Sequence, residues 1–160
     1  MINGMGDNIK KYHDAVKLLF DNDSTELFPN NNEEHTTAII EEILLHAQKS
    51  VKILGTCLNH DVWDNQKVMD AFVNAFCRGV KIEIVTQQKM DKDSKLSKLI
   101  RSLRVSVKEE TASYLTCNFI VADKKMFRFE EDASKRHALA SANCPQVAIV
   151  LDDVFERACA

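Results

Sequence analysis

The run from Ala71 to Thr86 constrains this chain most, because a helical pattern stops there at a glycine and a strand pattern begins at once. Gly79 can adopt the left-handed backbone that closes a helix, and Val80, Ile82 and Ile84 then alternate with Lys81 and Glu83. Val51 to Thr56 supplies an earlier apolar strand. The spacing therefore predicts a helix over 65–78 that crosses between two parallel neighbouring strands, which makes the fold class α/β.

The rest of the pattern fits one domain. Ile9, Tyr12, Val16, Leu19 and Phe20 recur at helical spacing over 8–20, and a polar stretch over 21–35 with Pro29 and the run Asn30-Asn31-Asn32-Glu33-Glu34 reads as a connector. A helix is predicted from a cap at Thr36 or Thr37, with Ile39, Ile40, Ile43, Leu44 and Ala47 on one face. Leu96, Leu99, Ile100 and Leu103 mark a short helix, followed by a brief strand at Val105 and Val107. Strands over 115–121, 126–129 and 137–142 form a meander, and Pro145 opens a closing helix. The expected division is an N-terminal helix and connector over 1–33 and an α/β domain over 34–160.

Composition excludes several classes. The formal net charge is −3 over 160 residues, so the whole surface is not built to attract phosphate backbones. No apolar run reaches the roughly 18–20 residues of a membrane span, and the first residues lack a signal pattern. The expectation is a cytoplasmic protein with no membrane association. Five scattered cysteines without a CxxC pair point to buried reduced thiols and to neither a disulfide framework nor a metal site. With four glycines and no G-x-G-x-x-G, a dinucleotide or phosphate loop has no support, and no cofactor is expected.

The succession of helix, strand, helix ending Arg78-Gly79-Val80-Lys81-Ile82, strand, hairpin, strand and helix resembles one half of the phospholipase D superfamily, over residues 36–158. That family carries His-x-Lys-(x)4-Asp before its hairpin and a Ser-x-Asn segment beyond it. Aligned on Asp123, the resemblance places Thr116 at the nucleophilic histidine and Asn118 at the phosphate-binding lysine, while Ser141 and Asn143 match Ser-x-Asn. It implies a mixed sheet flanked by helices and a homodimer that joins two half-sites. Family chemistry uses an imidazole to attack a phosphodiester and a second to protonate the leaving group. A threonine without an activating base cannot replace the first, and asparagine lacks the lysine's charge.

The expected function is therefore a catalytically inactive binding or regulatory protein for a phosphate-containing ligand, a nucleic acid or a protein partner. The alternative is a phosphodiesterase or nuclease that draws a histidine from elsewhere, His137 or His60. Lys124, Lys125, Arg128, Lys135 and Arg136 are expected to make one side of the hairpin basic. Trp63 is expected to plug the core, Asp64 to cap, and Asp152 with Asp153 to lie on a solvated helix face. A third reading gives residues 8–20 and the connector a partner-docking role.

Overall fold

A computed structural model describes residues 2–132, 135 and 137–160, with side chains from residue 8 onward. Seven strands form one mixed sheet, β1 (Phe28–Asn30), β2 (Ser50–Gly55), β3 (Lys81–Thr86), β4 (Ser106–Lys108), β5 (Asn118–Ala122), β6 (Met126–Glu130) and β7 (Ala138–Ser141). Their order is β1-β7-β6-β5-β2-β3-β4. β2, β3 and β4 run parallel, and the remaining pairings are antiparallel. The helices are α1 (Ile2–Asp21), α2 (Glu33–His46), α3 (His60–Trp63), α4 (Gln66–Cys77), α5 (Lys95–Leu103) and α6 (Pro145–Cys159).

The expected α/β unit forms as the sequence predicts. Gly79 sits at φ +85° just beyond α4, and β2 pairs with β3 in parallel register from Ser50↔Lys81 to Gly55↔Thr86. One face of the sheet packs Ile53, Ile84 and Ile120 with Ile39 and Ile43 of α2, Phe72 of α4 and Val16 and Phe20 of α1. The opposite face packs Leu54, Val85, Phe119 and Phe127 against Leu151 and Phe155 of α6. Both faces are covered, so the central strands are apolar almost throughout.

Several expectations are corrected. The polar connector contains β1, which pairs with β7 from Phe28↔Ala140 to Asn30↔Ala138; an edge strand tolerates Pro29, which has no N–H to donate, because one side of such a strand joins no ladder. α2 starts earlier than Thr36, since the Asn32 side chain caps it by accepting the His35 N–H at 2.9 Å. Asp152 is buried, not solvated, because Lys52 projects from β2 onto α6 and meets it at 2.9 Å, with Glu156 2.7 Å away. Asp153 stays exposed beside Arg157. All five cysteines are free thiols, but none is buried: Cys57 and Cys77 are exposed and the others half-buried. Trp63 is buried as expected.

Candidate functional site

Strand direction decides what can meet. β5 runs antiparallel to β2 and β6, so the carboxyl end of β2, the first residue of β5 and the last residue of β6 lie side by side: Leu54↔Phe119 and Asn118↔Glu130. β1 ends at Asn30 on the same edge, and the chain then enters α2 over this end of the sheet. Between these elements and the loop carrying α3 lies a cavity of about 500 Å³. Ile40, Ile53, Val62, Trp63 and Ile120 give it an apolar wall, while Asn32, Thr36, Asn118, Arg128 and Glu130 are among its polar lining.

Arg128 and Glu130 share a face because they are two apart on β6. Arg128 is 7% exposed and hydrogen-bonded within the fold: its Nε donates to Asn30 Oδ1 at 2.6 Å, and one terminal nitrogen donates to Thr36 Oγ1 at 3.0 Å. Glu130 lies 3.4 Å from the guanidinium. Burial holds the Arg128 guanidinium below its usual value, against the opposing charge of Glu130. Arg128 is thus a buried, paired cation and not a member of an exposed basic surface.

The other expected basic residues are also separated. Lys124 and Lys125 occupy the β5–β6 turn at the far end of the sheet, where Lys125 pairs with Asp23 at 2.8 Å. Lys135 is exposed in the β6–β7 connection at the cavity end, and Arg136 lies outside the described residues. Among the described residues, Lys124 and Lys125 do not share one basic side with Lys135, because a strand's two ends are about 13 Å apart over four residue steps.

The residues matched by the resemblance divide in the same way. Asn118 lines the cavity, and its Oδ1 accepts the Thr56 backbone N–H at 3.0 Å. Thr116 is exposed in the preceding loop and is not among the cavity-lining residues. Asp123 sits at the opposite end, in a left-handed turn at φ +54°, accepting the backbone N–H groups of Gln48, Lys49 and Ser50 at 2.8, 2.8 and 3.0 Å. Ser141 and Asn143 are also at that end: Ser141 pairs with Phe127, and Asn143 donates to Asp23 at 3.2 Å. The structure does not bring these five residues into one pocket.

His60 lines the cavity, with Nδ1 3.2 Å from Asp64 and Nε2 3.1 Å from Asp91. Burial pushes the Asp64 carboxyl up, but hydrogen bonds from the Leu96 and Lys95 N–H groups and from His60 outweigh it and leave it below its ordinary value. His137 is exposed, 3.5 Å from Asn31 Oδ1, and is not among the cavity-lining residues. Sequence reasoning missed Asn30, Asn32, Thr36, Thr56 and Glu130 as a set. The available signal was the alternation Phe127-Arg128-Phe129-Glu130, which puts both charges on one face of a doubly covered strand.

Among the described residues, Asp21, Glu42 and His46 alone form a cluster that could hold a metal ion, at the α1–α2 contact away from the cavity. His46 bridges the two carboxylates, Nε2 to Asp21 at 3.0 Å and Nδ1 to Glu42 at 3.3 Å. The carboxylates meet different ring nitrogens, so the cluster serves to dock α1 on α2.

No protein-family model matches the chain, and no curated protein matches it in sequence. Solved structures do match its fold. Nuc from Salmonella typhimurium, described as a phospholipase D family member, aligns with TM-score 0.60 at 14% identity over 83% of this chain and 93% of its own. NucT from Helicobacter pylori aligns with TM-score 0.62 at 12% identity over 83% and 96%. TrmBL2, an archaeal chromatin protein described with a novel mode of DNA binding, aligns with TM-score 0.63 at 13% identity. That alignment covers 98% of this chain and 60% of TrmBL2. The chain therefore has the α/β fold of phospholipase D-like proteins.

Proposed function

We propose that this chain is a catalytically silent phospholipase D-like module that binds a small ligand in the cavity beside β2, β5 and β6, and that it works as a homodimer. The observation that carries this reading is the state of the two positions matched to the catalytic pair. Thr116 stands outside the cavity, and the Asn118 carboxamide is held by Thr56. Neither supplies a nucleophilic nitrogen or a cation for a pentacoordinate phosphorus.

The dimer is carried over from the resemblance, and the neighbours Nuc and NucT support the fold on which it rests. The DNA binding described for TrmBL2 keeps nucleic acid among the partners. A cavity ligand is favoured over nucleic acid because Lys124 and Lys125 lie at one end of the sheet and Lys135 at the other. No helix among the described residues is long and apolar enough to cross a membrane.

The second reading is a phosphodiesterase using His60, favoured by its place on the cavity wall. Hydrolysis of bis(p-nitrophenyl) phosphate and of single-stranded DNA separates the two. The expected result is no turnover above buffer, unchanged in His60→Ala. Turnover abolished by His60→Ala would replace the binding module with the enzyme.

A further inference from the structure

We propose that the cavity selects an uncharged small molecule bearing several carbonyl or hydroxyl oxygens on an apolar body; this rests on the reading of the cavity as a ligand site. Three asparagines, Asn32, Asn59 and Asn118, line it. Each has its side-chain oxygen already occupied. Asn32 Oδ1 accepts the His35 N–H at 2.9 Å, Asn59 Oδ1 accepts the Asp61 N–H at 2.9 Å, and Asn118 Oδ1 accepts the Thr56 N–H at 3.0 Å.

A main-chain N–H can only donate, so the amide atom facing it must be oxygen and the NH2 half points elsewhere. None of these three NH2 groups has a hydrogen-bond partner among the described residues. Two of the anchors are helix N-caps and the third ties β5 to the end of β2. The donors are therefore fixed by backbone that already exists in the fold, and they lose little freedom on binding.

Charge narrows the ligand further. The lining holds one guanidinium, Arg128, one imidazole, His60, already set between Asp64 and Asp91, and two carboxylates, Glu33 and Glu130, so it carries no excess of positive charge. Arg128 already directs its Nε and both terminal nitrogens at Asn30, Thr36 and Glu130. A phosphate dianion entering here would lose its hydration without gaining an unpaired cation. A carbonyl or hydroxyl oxygen takes an amide donor with no charge to desolvate, and Ile40, Val62 and Trp63 cover the apolar part of the molecule.

The test follows the side-chain NH2 signals of Asn32, Asn59 and Asn118 in 15N-labelled full-length protein. The probes are 2-pyrrolidone and uracil, set against inorganic phosphate and methyl phosphate at equal concentrations. The neutral probes are expected to move the three signals saturably and the phosphates to leave them in place. Asn59→Ala and Asn118→Ala are expected to weaken the neutral probes at least fivefold, and an unchanged backbone amide spectrum identifies variants that remain folded. Phosphates moving the three signals at equal or lower concentration than the neutral probes would overturn the selectivity and leave the ligand site standing. No shift with any of the four probes would overturn both.

Discussion

The Asp123 carboxylate accepts three consecutive backbone N–H groups, from Gln48 to Ser50, and so joins the β5–β6 turn to the entry of β2. Charged acceptors give the stronger hydrogen bonds. Asp123→Ala is expected to lower unfolding stability by about 2 kcal/mol, read from the urea midpoint. The sequence makes this aspartate visible through the family pattern, but what it touches depends on residues more than seventy positions away, which no local spacing encodes. Asp64 offers a pH test. Its folded value lies below its ordinary 3.8, so its contribution is present above pH 3.8 and is lost as pH falls through the folded value. In Asp64→Asn the drop in thermal stability between pH 5 and pH 3 is expected to be shallower than in the parent protein, as measured by circular dichroism.

At the scale of elements, periodicity and stop signals made most of the order legible. The α4–Gly79–β3 succession, the hairpin and the proline-led α6 form where the residues place them. β1 was hidden because three residues around a proline carry no alternation, and only its pairing with β7 makes them a strand. Lys52 and Asp152 were unreadable for a related reason: their burial comes from α6 closing over β2 from 100 residues away. These packings predict the result of a truncation. Removing residues 1–33 takes away Val16, Phe20 and Phe28, which are 2%, 4% and 7% exposed, together with the β1 edge. The shortened chain is expected to lose its cooperative melting transition, whereas a chain lacking only residues 1–7 is expected to keep it.

For the whole molecule, the proposed homodimer is expected to give twice the 18.2 kDa chain mass in light scattering. A single-chain mass at working concentration would remove it. The cavity wall collects side chains from positions as far apart as Asn32 and Glu130, contributed by α2, β2, the α3 loop, β5 and β6. Global unfolding must pull these segments apart, so whatever occupies the cavity acts as a non-covalent cross-link on the native chain. At a hundredfold excess over its Kd, an occupant adds about 2.7 kcal/mol to stability by mass action. The protein's own melting temperature thus becomes a reporter of any compound that enters the cavity.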